Sequence, residues 1–162
     1  MSSIITGAQG VFVTSHRGVE EYHDNLVVTE GRNYVVGAAL VNQTRYSNFY
    51  VAIFGADVTP TASWTASSFA TAANEITSYV ATARPGWQPG AVASGEVDSY
   101  QSKVSFESTA NGVLVRGAAL LSSDAKSGTA GVLIGATRFQ NAKPLDEGEI
   151  LDVGYLFRLT GA

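Results

Sequence analysis

The sequence predicts a mainly β protein: a single antiparallel β-sandwich domain of jelly-roll type, with one or two short helices and an extended N-terminal arm. Three observations carry this. Residues 111–139, NGVLVRGAALLSSDAKSGTAGVLIGATRF, hold two apolar runs, 112–121 and 130–139, around the loop SSDAKSGT. Turn-forming residues between two β-leaning runs read as a hairpin with a long loop. Residues 150–159, ILDVGYLFRL, alternate: Leu151, Val153, Tyr155, Phe157 and Leu159 face one way, Asp152, Gly154 and Arg158 the other. That is the pattern of an antiparallel strand with one wet face. Finally, 162 residues with 17 glycines and 15% charged residues, against a usual charged share of roughly 25%, suit one β-rich domain.

Neither run of the hairpin alternates cleanly. Val113, Val115, Ala119 and Leu121 point one way, Leu114, Ala118 and Leu120 the other. A strand apolar on both faces is buried on both, or covered on one by a neighbouring chain. Together with the low charge, this predicts a homo-oligomer, because a freely soluble monomer carries more surface charge. An obligate interface of this kind buries upwards of ~2,000 Å².

Taken in order, residues 1–25 read as the arm and 26–162 as the sandwich domain. Ile4-Ile5 and Val11, Phe12 and Val13 are β-leaning patches separated by Gly7, Gly10 and Gly18. Such patches favour docking on another chain. Leu26, Val27 and Val28 make a short strand. Over residues 33–44, Tyr34, Gly37, Ala38 and Val41 share one helical face; Val35, Val36 and Gly37 are poor helix formers, and a short helix is the expectation. NFYVAIF (48–54) is a strand apolar on both faces. Thr59-Pro60 and a Ser/Thr-rich stretch form a loop, with one or two helical turns over 67–73. EITSYV (75–80) reads as a strand, and RPGWQPG (84–90) as a rigid loop set by Pro85 and Pro89. Residues 103–107 alternate, with Val104 and Phe106 inward. The count is seven or eight strands.

Several classes of function are disfavoured. The net charge is −4 and the ten basic residues are scattered, whereas nucleic-acid binding needs clustered Lys and Arg. No apolar run approaches the roughly 18 residues that span a bilayer, and the N-terminus lacks the basic and apolar regions of a signal peptide. The expectation is a soluble protein with neither membrane nor nucleic-acid partner. Without cysteine, disulfides and thiolate metal sites cannot hold the fold.

His16, Glu20 and His23, with Glu21 and Asp24 beside them, are the one group with metal-ligand chemistry. Offsets of four and seven would align the three on one helical face, as a zinc site requires. Gly18 spoils that helix, so the expectation is a solvated charged loop and no metal. Serines abound, but G-x-S-x-G is absent and both histidines lie in the arm, which leaves no nucleophile–base pair. Asp146, Glu147, Glu149 and Asp152 could pair as glycosidase carboxylates; a solvated turn is the simpler role. KSGTAG (126–131) holds Lys and Gly but reads as a hairpin tip rather than a phosphate cradle. Trp64, Phe69 and Trp87, with Tyr79 and Tyr100, could form a carbohydrate platform, or serve as core and interface. No catalytic, cofactor or metal residue is assigned.

The runs SWTASSFATAANEITSYVATARPGWQPG, GVLVRGAALLSSDAKSGTAGVLIGATRF and LDEGEILDVGYLF, with NFYVAIFGADVTP ahead of them, resemble small bacteriophage virion structural proteins. These include capsid decoration (cement) proteins and tail-associated components. The likeness covers roughly residues 34–160 and lies in pattern rather than in a diagnostic motif. It implies a non-enzymatic virion protein, assembled in the host cytoplasm, that oligomerises and stabilises the phage head by binding the major capsid protein. It transfers no catalytic residues and does not separate head from tail. The alternative is a tail or fibre module reading host-surface glycan through Trp64, Trp87 and nearby tyrosines. A hydrolase using the carboxylates of 146–152 is a third reading.

Overall fold

The computed structural model describes residues 7–161; the Ile4-Ile5 patch lies outside them. Eight strands and two short helices follow in the order β1 (Gly7–His16), β2 (Val19–Val27), α1 (Thr29–Leu40), β3 (Tyr50–Phe54), α2 (Ala66–Ala72), β4 (Glu96–Asp98), β5 (Val104–Glu107), β6 (Val113–Leu121), β7 (Leu133–Leu145) and β8 (Ile150–Thr160). All strand pairs are antiparallel, in one sheet of order β3-β6-β7-β2-β1-β8-β4, with β5 also on β8 beside β4. The pairings β1–β8, β2–β7 and β3–β6 are nested, as in a long hairpin rolled up. A jelly roll would distribute such pairs over two sheets. Here the hairpins β1–β2 and β6–β7 also bond directly, and the result is one continuous sheet curled into a half-barrel.

The fold occurs at β2. Residues up to Asn25 pair with β1, and only Leu26 and Val27 pair with β7. The inner faces of the two halves meet there, packing Phe12, Val104, Phe106, Leu151, Val153 and Tyr155 against Val51, Ile53, Val115, Leu120, Ile134 and Phe139. An irregular strap closes the open side. It leaves β3 at Ile76, whose N–H donates to Ile53 O, and touches the end of β5, where Val80 N–H donates to Glu107 O. It then returns to β3, where Pro85 O accepts from Val51 N–H. The outer edge of β3 is thereby covered, which removes the template an open edge offers to other chains, and β5 is met at Glu107 alone.

Three expectations are corrected. Residues 7–25 are no arm: β1 and β2 are central strands, with Phe12 and Val13 wholly buried. Their glycines mask the pattern; Gly18 instead makes the tight β1–β2 turn at φ 77°. Residues 75–80 make only isolated bridges, Phe54 with Glu75 and Tyr79 with Ser108, because the chain there crosses between sheet edges instead of running along one. And the second apolar face of β3, β6 and β7 is covered within the chain. Trp64, Ala66, Phe69 and Ala73 pack on Ala52, Phe54, Ala119, Leu121, Leu133 and Ala136, so this face gives no motive for self-association. Helix α2 is started by Thr65, whose hydroxyl accepts from Ser68 N–H while the Ser68 hydroxyl accepts from Thr65 N–H.

The predicted hairpin is present as β6 and β7, with a β-bulge between Val115 and Gly117. The bulge shifts side-chain parity, so that Val115 shares the inner face with Ala118 and Leu120. Helix α1 begins four residues before the expected start and ends at Leu40, burying Gly31, Tyr34 and Gly37. It lies so close to β7 that a Cβ on Gly31 would overlap the Ile134 carbonyl.

Candidate functional site

Helix α1 lies across one mouth of the half-barrel, and beneath it is an apolar cavity of about 170 Å³. Its walls are Tyr34 and Val35 of α1, Phe49, Trp87, Leu120 and Ile134, with Val97 and Phe157 opposite. The rings are held edge to face: Tyr34 on Phe49 at 5.8 Å, Phe49 on Trp87 at 6.5 Å, Trp87 on Tyr155 at 5.9 Å. Their polar ends are engaged elsewhere. Trp87 Nε1–H donates to Tyr155 O at 3.2 Å, and the Tyr34 hydroxyl accepts from Tyr46 N–H at 2.8 Å. The cavity therefore presents hydrocarbon only. Next to it is a second, mostly apolar hollow, formed by Val35 again with Val36, Leu159, Gly7 and Ala8 and bordered by Arg32 and Thr160. Beside them, α1 exposes Val36 at 54% and Leu40 at 80%, followed by Val41 at 72%. Trp87 stands out in the sequence but this face does not, because the exposure of Val36 and Leu40 follows only from where the helix lies.

The aromatic residues considered as a platform do not share a surface. Trp64 and Phe69 pack on Phe54 in the outer core, at 6.1 Å each. Tyr79 stands edge-on to Phe106 at 4.9 Å, and burial raises its hydroxyl pKa. Tyr100 donates to Val11 O and meets Tyr22 at 5.8 Å.

His16, Glu20 and His23 lie on strands, not on a helix. Glu20 and His23 are three apart in β2, so they leave opposite faces. Glu20 accepts from the Tyr22 hydroxyl and pairs with Lys103 at 3.4 Å. His23 turns inward, stacks on Phe139 at 4.5 Å and bonds the buried Thr14 hydroxyl through Nε2 at 2.9 Å. The group that does assemble is different: Lys143 of β7 pairs with Glu21, and His23 Nε2 lies 4.0 Å from the same carboxylate. His16 is nearby, its Nε2 buried without a partner among the described residues. Burial, first of all, lowers the pKa of both histidines; Arg17 adds to this at His16 and Lys143 at His23. Lys143, 127 positions from His16, could not have been linked to it from spacing alone.

The carboxylates of 146–152 are a turn. Asp146 accepts from Gly112 N–H, and Glu149 accepts two bonds from Arg17, which hold its carboxyl down to about 2. KSGTAG is fastened as a hairpin tip: Lys126 lies 3.8 Å from the Tyr79 ring centroid and donates to Thr77 O and Tyr79 O. Beneath the tip is a fully buried ion pair, in which Arg84 donates two 2.8 Å bonds to Glu75 and others to Ser123 O and Gly128 O.

No family model matches the chain, and no curated protein does. What the geometry offers at the α1 end is a surface for burying apolar groups. Among the described residues, no acid, base or nucleophile lines the cavity.

Proposed function

We propose that the chain is a non-enzymatic virion structural protein, most nearly a capsid decoration or cement protein, which stabilises the phage head by binding the major capsid protein. The observation that supports this reading is the apolar face at the α1 end. Val36, Leu40 and Val41 stand exposed beside two apolar hollows joined at Val35. Contiguous apolar surface of this kind marks an interaction site. A shell protein held there is stabilised only if the face binds the assembled lattice better than free subunits. The glycan-reading alternative has less support, since its aromatic residues are dispersed over the core, the outer layer and the mouth.

The test combines location with a surface variant. Antibody labelling of purified particles should place the protein on the head lattice, and particles lacking it should lose their genome at lower temperature. Leu40→Glu, at a position 80% exposed, should leave the melting temperature nearly unchanged while weakening attachment to the particles. Absence from particles, or label confined to tail fibres, would overturn the cement reading.

A further inference from the structure

The sheet parts where β2 leaves β1. Their pairing ends at Gly10 with Asn25; beyond it, β2 continues onto β7 through Leu26 and Val27, whereas β1 continues along β8 through Gln9, Ala8 and Gly7. A cleft of about 440 Å³ opens between them. One wall is Gly7–Gln9, which among the described residues has a strand neighbour on the β8 side only. Arg32 of α1 and Arg158 of β8 both reach this cleft. Arg32 donates to Thr29 Oγ1, and Arg158 to Gln9 Oε1. Neither has a carboxylate within 4.0 Å among the described residues, although Asp24 lines the same cleft and Glu96 is the cross-strand neighbour of Arg158. In a chain of net charge −4, a cleft lined by two arginines against one acid, Asp24, carries a net positive charge beside β1.

We propose that this cleft docks an extended acidic segment of a partner chain, which pairs its backbone with β1 at Gly7–Gln9 and presents carboxylates to Arg32 and to Arg158. Strand addition supplies affinity through main-chain bonds, and specificity comes from what the flanking side chains accept. Each guanidinium can hold a carboxylate through two parallel N–H donors. The first six residues of this chain, MSSIIT, carry no acidic side chain, so charge favours a foreign segment over them. The site stands whether or not the protein belongs to a virion.

The test titrates the full chain, labelled with nitrogen-15, with four blocked peptides: Val-Glu-Val-Glu-Val, its Gln and Lys counterparts, and MSSIIT. The Glu peptide should shift and protect the amides of Gly7–Gly10 and Leu26–Val27. Its affinity should fall as salt rises, and by roughly two- to fivefold in Arg32→Gln and again in Arg158→Gln, both variants being checked by thermal melting. Equal binding by the Gln, Lys or MSSIIT peptide would overturn the proposal, as would shifts mapping elsewhere or no binding. Sodium acetate reproducing the shifts at the same concentration would reduce the cleft to a small-anion site and would equally overturn strand docking.

Discussion

At the scale of single residues, the polar interior governs how the protein responds to acid and to truncation of a side chain. His16 and His23 have folded pKa values below their ordinary 6.5, burial being the first cause in each case. As pH falls below about 6.5, the unfolded chain therefore takes up protons that the folded chain refuses, and stability declines until each folded pKa is reached. Glu21, held below its ordinary value by Lys143, Glu20 by Tyr22 and then Lys103, and Glu149 by Arg17 extend the loss below about 4.5. The melting temperature should accordingly be level between about pH 7 and 9 and fall below 6.5. His23→Gln should flatten part of the slope between those two regimes; a slope equal to the parent's would show that His23 is not responsible. The Arg84–Glu75 pair makes a separate prediction. Both side chains are almost wholly inaccessible, so Arg84→Met strands a buried carboxylate and should cost ~3–5 kcal/mol. The double variant Arg84→Met, Glu75→Gln should recover a good part of that, because Gln still accepts from Ser127 N–H without bearing a charge. Urea melts of the two variants decide it: equal losses would mean that the charge was not the cause.

At the scale of elements, the outer layer over β3, β6 and β7 explains the two-sided apolar pattern of the hairpin. Phe69 is wholly buried in that layer, edge-on to Phe54 and Trp64. Phe69→Ala should cost ~3–5 kcal/mol and should raise binding of a hydrophobic dye, because α2 then no longer seals Leu121 and Leu133. Loss of less than ~1 kcal/mol without dye binding would mean that the layer does not depend on α2. The hairpin, β8 and the rigid 84–90 loop were legible in sequence because each has a local signal: turn residues between apolar runs, alternation, or paired prolines. Other features were illegible for stated reasons. The bulge at Arg116 reverses parity in mid-strand, so the face assignments of Val113 and Val115 relative to Ala118 come out inverted. Strand β4 is three residues long, too short for any period. Glu30 resembles a first-turn helix acid, yet its carboxylate accepts from Ala66 N–H and Leu133 N–H at 2.8 Å each, tying three elements together. The exposed α1 face and the Arg32–Arg158 cleft depend on where the helix and the divergence of β2 fall in space, which no spacing rule encodes.

At the scale of the whole molecule, the chain closes on itself: its first described strand pairs with its last, Gly7 with Thr160 through to His16 with Leu151. Strand β1 also pairs along most of β2, so its backbone is bonded on both sides over residues 10–16. Phe12, Val13 and Thr14 have no exposed surface, and the Phe12 ring lies 4.5 Å from that of Tyr155. Burial of Phe12 and Val13 alone is worth roughly 3–6 kcal/mol at ~1.5–3 kcal/mol for each side chain. Removing the strand would forfeit that, strip hydrogen-bonding partners from β2 and β8, and expose Leu156 and Val153 to water. Total stabilities of ~5–15 kcal/mol do not survive such a loss. A truncation beginning at Ser15 should therefore lose its β-sheet circular dichroism and its cooperative melting transition, even though the residues removed look like a glycine-broken leader in sequence. The same chain beginning at Gly7 should keep both, since every described strand remains whole. If the Ser15 truncation instead melts within a few degrees of the full chain, β1 is an attachment and not a structural strand. The pairing of first strand with last would then have to form after the rest of the sheet is complete, contrary to the shared core that Phe12 and Tyr155 build with Leu120 and Phe139.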